Sequence, residues 1–314
     1  MAKEGSEIIS IIGAPSSGKS VYFTSLISTL ENYGYRLGLD VRAKDEAFNS
    51  EERTSQVFNS MKKNMFSYGE LPDQTTAKDI VTPLIFKLTS SVESGKYSDK
   101  DRHIYLVFYD TAGEVFTTSE ALKKQAVYLA QSSGIILLLD PFSIPKLKNL
   151  FINAGLNVPG DRDEIQVVID KILGDADDDR GRYKDTPLAV TFSKIDAVVN
   201  GLEQAGEQSI PNLDLYYDSS FLKTGRYSVS ETDNISKSLS ELCNNPDKWD
   251  IGNVLHKIGT AFRNYKVFGV SSLGTTPDKD NSQHVSGQIK PYRVLDPLVW
   301  ILTQMKGFHI PLDK

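Results

Sequence analysis

The stretch GAPSSGKS at residues 13–20 decides the fold, because it matches the phosphate-loop pattern G-x-x-x-x-G-K-[ST] completely. The apolar run EIISIIGA at 7–14 predicts a strand before it, and an apolar helical face from Phe23 to Leu30 predicts a helix after it. A chance Gly/Ser turn between a strand and a helix is the alternative. The predicted phosphate-loop residues are Gly13, Ala14, Pro15, Ser16, Ser17, Gly18, Lys19, Ser20 and Val21.

Anion capture explains why these residue types occur at this spacing. Glycines allow backbone N–H groups to turn inward, and the N-terminus of the following helix adds partial positive charge. Lys19 is expected to reach the β- and γ-phosphates of a nucleotide, and the Ser20 hydroxyl to be a ligand of Mg²⁺. The motif therefore predicts a bound nucleoside triphosphate with Mg²⁺ and does not identify the base.

The alternation of apolar runs with helical patterns predicts an α/β fold, a doubly wound and mostly parallel sheet. Most of the runs are continuously apolar, which is typical of parallel strands covered on both faces. The predicted strands lie at 7–14, 81–88, 103–110, 134–140, 187–193 and 266–272. The first predicted helix has Gly34 as its C-cap, and further helices are predicted at 119–131, 163–173, 251–262 and 296–305.

Three segments exceed what such a core needs, and we interpret them as helical and loop insertions in one domain that spans residues 1–314. They lie at about 38–74, 142–185 and 200–250. The first contains a predicted amphipathic helix with Phe58, Met61 and Met65 on one face, which favours packing over an effector groove.

Composition limits the classes of function. The net charge of −6 and the pI near 5.4 argue against a general nucleic-acid or anionic-membrane surface. The single Cys243 excludes an intramolecular disulfide and fits a reducing compartment. The start MAKEGSE has no apolar core typical of a secretory signal, and no apolar run is long enough to span a bilayer. We therefore expect a cytoplasmic protein without direct membrane insertion.

Asp110 ends the predicted strand 103–110 and begins the motif D-T-A-G-E. A carboxylate at the end of a neighbouring strand can enter the Mg²⁺ shell, and the Gly113 N–H can donate to a γ-phosphate whose loss would release the loop. A simple turn after a buried strand is the alternative. With these two motifs the sequence resembles the translation-factor-related (TRAFAC) class of P-loop GTPases, in which D-T-A-G-x is the third signature.

In the resembling class a Thr of the first switch completes the magnesium shell. Thr75 and Thr76, in L-P-D-Q-T-T ahead of strand 81–88, are both candidates, with Thr76 preferred; Thr82 lies within the strand. G-protein alpha subunits supply an arginine finger just before this Thr, whereas residues 71–74 include no Arg. Slow turnover is therefore expected unless a partner supplies the positive charge.

Glu114 follows the motif glycine at the position where many small GTPases carry the Gln that orients the attacking water. A carboxylate could accept a hydrogen bond from that water, but it would add negative charge beside the γ-phosphate. An exposed acid with no catalytic role is the alternative. The predicted catalytic residues are thus Lys19, Thr76, Gly113 and Glu114, and the predicted metal ligands are Ser20, Asp110, Thr75 and Thr76.

The stretch T-F-S-K-I-D at 191–196 is similar to the Asn/Thr-Lys-x-Asp loop that reads guanine in this class. The resemblance implies that Asp196 accepts hydrogen bonds from guanine N1–H and N2–H₂, and that the stem of Lys194 packs over the ring. Ser193 departs from the pattern and is expected to weaken the bracing of the loop more than the choice of base. The alternative is a polar turn. A second match, S-S-L-G, resembles the Ser-Ala motif whose backbone reads guanine O6; its predicted residues are Ser271, Ser272 and Leu273.

Within the class, L-P-D-Q-T-T, L-L-L-D-P and V-L-D-P-L-V-W-I-L look like bacterial double-GTPase domains, which are associated with conflict and signalling systems. The resemblance implies GTP/GDP and Mg²⁺ as ligands, slow GTP hydrolysis and switches at 71–82 and 111–125. It also implies a protein effector, a partner GTPase or a second copy of the chain. The acidic net charge argues against a nucleic-acid partner.

Two other functions remain open from the sequence. An assembly module could bind GTP and hardly turn it over. A P-loop kinase or ATPase is suggested by Arg180 and Arg182, which could form an arginine lid, although the D-T-A-G-E and S-K-I-D motifs argue against it. The acidic run 175–179 does not complete a calcium-loop pattern, because Arg180 and Thr186 stand where Gly and Glu are needed.

Overall fold

The computed structural model describes residues 7–13, 16–45, 53–72, 83–90, 103–108, 131–156, 158, 164–173, 184–214, 218–278, 280–306 and 308–313. The strands within these ranges are β1 (Glu7–Gly13), β2 (Leu39–Ala43), β3 (Leu84–Ser90), β4 (His103–Phe108), β5 (Gly134–Leu139), β6 (Leu188–Phe192) and β7 (Tyr265–Gly269). They form one sheet in the order β2-β3-β4-β1-β5-β6-β7. Only β3 runs against the others, because it pairs antiparallel with both β2 and β4 and every other pairing is parallel.

Helices cover both faces of this sheet. They are α1 (Lys19–Tyr33), α2 (Thr54–Lys63), α3 (Pro145–Asn153), α4 (Ile165–Leu173), α5 (Ile195–Gln204), α6 (Phe221–Thr224), α7 (Val229–Asn244), α8 (Gly252–Ala261) and α9 (Asp296–Gln304). One apolar layer includes α1 and α9, and the opposite layer includes α3, α4, α5, α7 and α8. The predicted doubly wound, mostly parallel α/β fold is confirmed. The part of helix 119–131 before residue 131 lies outside the described residues.

The sheet contains one strand that the sequence did not predict. β2 lies at the start of the segment 38–74, which was interpreted as an insertion, so the first residues of that segment belong to the sheet. Its sequence, LDVRA, is short and carries two charges, and only its first residue is buried. The division of the chain into one domain with three insertions stays a prediction.

Helix α1 ends at the predicted residue, and a 3₁₀ turn follows it. Gly34 is its C-cap, as predicted, but it keeps a right-handed backbone with φ of −55°. The chain then tightens into the 3₁₀ turn Gly34–Leu37, and the left-handed stop comes at Gly38, with φ of 70°. A Cβ on Gly34 would lie 3.1 Å from the Leu39 carbonyl oxygen, so close packing against β2 favours glycine there.

Phe58 of α2 packs in the core. Its ring meets those of Phe23 and Phe86 edge-on, at centroid distances of 6.5 and 5.1 Å. Met65, in the π-helical turn that follows α2, is also fully buried, whereas Met61 is partly exposed. Phe58 and Met65 therefore fill the core, as the packing interpretation predicts.

Among the described residues, no helix is long and apolar enough to cross a membrane.

Candidate nucleotide-binding site

The predicted phosphate loop leaves the sheet at β1, the strand with β4 on one side and β5 on the other. In such sheets ligands bind beyond the carboxyl ends of the strands, where the strand order changes direction. Gly13 is the last residue of β1, and a Cβ there would lie only 2.4 Å from the Leu138 carbonyl oxygen of β5. Close approach of the two strands therefore requires glycine at the first position of the motif.

The later part of the loop turns through two residues with left-handed backbone, Ser16 with φ of 59° and Gly18 with φ of 83°. Gly18 is the N-cap of α1, whose first turn contains no acidic residue, so no acidic side chain there neutralises the positive end of the helix dipole. Lys19 and Ser17 are buried, and Ser20 is half-buried. This geometry is suited to an anion.

Lys194 links the predicted base-reading loop to the phosphate loop. It has a left-handed backbone, with φ of 54°, at the junction between β6 and α5. Its Nζ donates a hydrogen bond to the Ser16 carbonyl oxygen at 3.1 Å and lies 2.8 Å from Oδ2 of Asp140. Asp140 directly follows β5, and its side chain is only 1% exposed. Three loops that are distant in sequence are thus held by one ammonium group.

Asp196 lies in the first turn of α5 and is buried. Burial raises the pKa of its carboxyl, and hydrogen bonds from the Ser271 hydroxyl and from the N–H groups of Asp196 and Ala197 act in the opposite direction. The Ser271 hydroxyl in turn accepts a hydrogen bond from the Gly274 N–H at 2.8 Å. These hydrogen bonds hold the carboxylate in one orientation.

The second predicted base-reading loop, residues 271–274, is fixed by backbone contacts on two sides. The Ser272 carbonyl accepts a hydrogen bond from the Ser25 hydroxyl of α1 at 2.7 Å. Ser271 and Tyr292 exchange both of their backbone hydrogen bonds, at 3.0 and 2.8 Å, and the Leu273 carbonyl accepts from Lys290 N–H at 2.8 Å. The loop therefore lies between the phosphate-loop helix and the segment that leads to α9.

Ser193, which departs from the guanine-loop pattern, makes a local bond. Its N–H and its hydroxyl both donate to the carbonyl oxygen of Leu139, at 2.9 and 3.2 Å. The end of β6 is thereby tied to the end of β5. Ser193 thus braces the loop against a neighbouring strand.

The structure brings together eleven of the predicted site residues at one edge of the sheet. They are Gly13, Ser16, Ser17, Gly18, Lys19, Ser20, Ser193, Lys194, Asp196, Ser271 and Ser272. Val21 lies in the first turn of α1, and Leu273 follows Ser272 in the same loop. The other predicted site residues lie outside the described residues: Ala14, Pro15, Thr75, Thr76, Asp110, Gly113 and Glu114. Within the described part of the chain, no group of three or more His, Cys, Asp or Glu could hold a metal ion.

Sequence reasoning did not assign a role to Asp140. The motif L-L-L-D-P was noted only for its resemblance to double-GTPase domains. The signal that could have identified it is an acid directly after a fully buried central strand, followed by Pro141. Such a position faces the same edge of the sheet as the phosphate loop.

The family model Double-GTPase 2 matches residues 7–244. No curated protein matches the chain. Among solved structures, the chain is similar to the Arl6 BBS3 small GTPase from Trypanosoma brucei with bound nucleotide analogue GppNp, at 10% identity and a TM-score of 0.33, over 94% of this chain and 95% of that chain. It is also similar to the Ski7 GTPase-like domain of S. cerevisiae bound to GTP, at 11% identity and a TM-score of 0.35, over 97% of this chain and 51% of that chain. Because the family model covers well over half of the 314 residues, the chain belongs to the Double-GTPase 2 family of P-loop GTPases.

Proposed function

We propose that the protein binds GTP with Mg²⁺, hydrolyses it slowly and acts as a molecular switch. The observation that carries the proposal is the buried Asp196, oriented by Ser271 beside Lys194, which itself contacts the phosphate loop at Ser16. These contacts support a single continuous site for the base and the phosphates. Membership of a GTPase family supports the choice of guanine nucleotide.

Asp196 supports guanine over adenine for a chemical reason. A carboxylate only accepts hydrogen bonds, and guanine offers N1–H and N2–H₂ side by side, whereas adenine presents an acceptor at N1. Two N–H donors from guanine would stabilise the ionised carboxylate, which burial otherwise disfavours. Adenine would leave that buried acceptor unpaired, which is the basis of strong discrimination.

The phosphate end is proposed to work by charge and backbone geometry. The N-terminus of α1 directs backbone N–H groups to the phosphates, and Lys19 neutralises the β- and γ-phosphates. Ser20, one residue after Lys19, is proposed to hold Mg²⁺ together with Asp110 and either Thr75 or Thr76, as the motifs predict. When bound, Mg²⁺ supplies further charge neutralisation at the phosphates.

Hydrolysis and switching extend the proposal to residues outside the described ranges. Glu114 is the candidate that positions the attacking water, and the switches would lie at 71–82 and 111–125. Because residues 71–74 include no Arg, turnover is expected to be slow until a partner supplies a cation. The partner would be an effector, a second GTPase or a second copy of the chain, in a cytoplasmic conflict or signalling system of bacterial type.

Calorimetric titration of nucleotide-free protein with GTP and with ATP, each with Mg²⁺, tests the proposal. We expect strong binding of GTP and weak binding of ATP. Lys19→Ala is expected to abolish binding of the triphosphate, and Asp196→Asn to move the preference from guanine toward xanthine nucleotides, because the amide can donate where xanthine accepts. Equal binding of GTP and ATP by the unmodified protein would overturn the guanine assignment and favour a kinase or ATPase.

A second candidate is an assembly module that binds GTP with hardly any turnover. The absence of Arg at 71–74 favours it over a fast enzyme. Multiple-turnover phosphate release, measured with and without added partner proteins, separates the two functions. A rate that stays at the uncatalysed level under all conditions would support the assembly module.

A further inference from the structure

We propose that Asp140 is a positioning residue for the nucleotide base, because its buried carboxylate holds the Lys194 ammonium against the phosphate loop and so fixes the lysine stem as a platform for the ring. The inference rests on the proposed function, since it assigns Asp140 to the site that reads the base. Asp140 acts through Lys194 and needs no contact with the nucleotide.

A hydrogen bond within its own turn, besides the contact with Lys194, fixes the Asp140 carboxylate. The residue caps the 3₁₀ turn Pro141–Ser143, and its Oδ1 accepts a hydrogen bond from the Phe142 N–H at 3.0 Å. Oδ2 faces the Lys194 Nζ at 2.8 Å, with the carboxyl side chain 1% exposed. A carboxylate this deeply buried needs a cationic or hydrogen-bonding partner, because its hydration has been lost.

The lysine is fixed from the other side. Lys194 is held in left-handed backbone between β6 and α5, and its Nζ also donates to the Ser16 carbonyl oxygen at 3.1 Å. Its side chain remains 32% exposed, so part of the stem stays accessible while the ammonium is held. A free lysine side chain has many rotamers, so ordering it costs conformational entropy. Ordering it before binding removes part of the cost of ordering it on the base.

The ion pair of Lys146 and Asp250, on the protein surface, shows how Asp140 differs from an ordinary partner of a lysine. Their Nζ and Oδ2 atoms lie 3.1 Å apart, with the side chains 47% and 52% exposed. Water and salt screen that pair, so removing its carboxylate has little effect. Asp250→Asn is therefore a matched control for Asp140→Asn, because each removes one carboxylate from one Lys–Asp pair.

The experiment compares the dissociation constants of GTP and GDP for the unmodified protein, Asp140→Asn, Lys194→Met, the double variant and Asp250→Asn. Asp140→Asn is expected to raise the dissociation constants of both nucleotides about tenfold. This is the size of effect expected for the loss of a hydrogen bond to a charged group. The two losses should be equal because both nucleotides carry the same base. The double variant should bind no more weakly than Lys194→Met alone, since Asp140 acts through that lysine.

A spectroscopic signature separates positioning from general folding effects. In protein with ¹⁵N-labelled lysine, the Lys194 ammonium is expected to give a slowly exchanging NMR signal in the unmodified protein and in Asp250→Asn, and to lose it in Asp140→Asn. If Asp140→Asn does not fold, Lys194→Met must still lower the affinities for GTP and for GDP by the same factor.

Unchanged affinity in Asp140→Asn or Lys194→Met, or additive losses in the double variant, overturns the inference while leaving the proposed function intact. Failure of the unmodified protein to bind any guanine nucleotide overturns the proposed function, and the positioning role with it.

Discussion

Two groups of ion-paired side chains hold the segment that follows β7, and the groups differ mainly in burial. Near α9, Arg293 lies 2.7 Å from Asp296 and 2.6 Å from Glu231; we call these three residues the buried anchor. Asp278 and His284, which we call the exposed pair, also lie 2.7 Å apart. The side chains of Arg293 and Asp296 are each 5% exposed, whereas those of the exposed pair are 32% and 37% exposed. Similar distances therefore carry different energetic consequences.

The buried anchor supports the candidate site through the backbone. Arg293 has left-handed backbone, with φ of 53°, and its N–H donates to the Asp218 carboxylate at 2.9 Å. It directly follows Tyr292, whose backbone pairs with Ser271. Asp296 also accepts a hydrogen bond from the Ser219 hydroxyl. The ionic contacts therefore fix the segment on which the loop 271–274 rests.

The exposed pair joins the same segment to the start of the predicted first switch. His284 forms an antiparallel bridge with Glu70, and the Leu71 N–H donates to the Gln283 carbonyl at 2.8 Å. Asp278 accepts hydrogen bonds from His284 and from the Ser286 hydroxyl, both at 2.7 Å. The backbone bonds, rather than the screened charges, are expected to carry most of this contact.

The largest effect is expected from breaking the buried anchor. Arg293→Ala should lower the free energy of unfolding by about 3–5 kcal/mol, because the buried Asp296 carboxylate loses its cation. His284→Ala should leave this free energy close to that of the unmodified protein, because water screens the exposed pair. Urea denaturation followed by circular dichroism measures both changes.

Arg263→Ala is the control, since the 3.8 Å pair of Arg263 with Asp185 is largely exposed. It should behave like His284→Ala. Equal losses of stability in Arg293→Ala and His284→Ala would mean that burial does not explain the difference between the two contacts.

A smaller effect is expected from two glycines that pack against the backbone of the segment held by these contacts. Gly274 and Gly69 both have φ of 70°, and a Cβ would lie 2.0 Å from the Lys290 carbonyl oxygen and 2.3 Å from that of Val285, respectively. Gly206 has φ of 72° and open space around it. Gly206→Ala should therefore cost only the left-handed strain of about 1–2 kcal/mol, and the other two substitutions more.

Thermal denaturation of the three alanine variants tests this order. Gly274→Ala should also weaken GTP binding, because it displaces the loop whose Ser271 orients Asp196. Equal stability of all three variants would show that the close contacts relax without cost. Unchanged GTP affinity in Gly274→Ala would show that the loop tolerates the displacement.

Strands buried on both faces were predictable, and the half-exposed edge strand was not. Every residue of β5 and β6 is buried, so continuous apolar runs identify them. β2 is an edge strand with one buried residue, and its sequence LDVRA gives no such signal. The 3₁₀ turn that links the C-cap Gly34 to the left-handed Gly38, just before β2, is likewise marked by no motif in the local sequence.

The candidate site shows a similar limit. The motifs identified Lys194, Asp196 and Ser271 because each stands at a fixed place in a local pattern. Asp140 lies 54 residues from Lys194, and its contact exists only because β5 and β6 are neighbours in the sheet. A partner that depends on strand order becomes visible only when the topology is known.

The smallest effect is expected from the titration of the exposed pair. Hydrogen bonding to His284 and Ser286 lowers the pKa of Asp278 to about 2. Hydrogen bonding to Asp278 raises the pKa of His284, and the Tyr68 carbonyl and the Glu70 charge raise it further. Because the folded pKa of His284 lies above its unfolded value of about 6.5, its contribution to stability is complete below that pH and is lost as pH rises through the folded pKa. NMR titration of His284 should give a higher pKa in the unmodified protein than in Asp278→Asn. Identical pKa values would show that the Asp278 carboxylate is fully screened, and the contact would then depend on its backbone bonds alone.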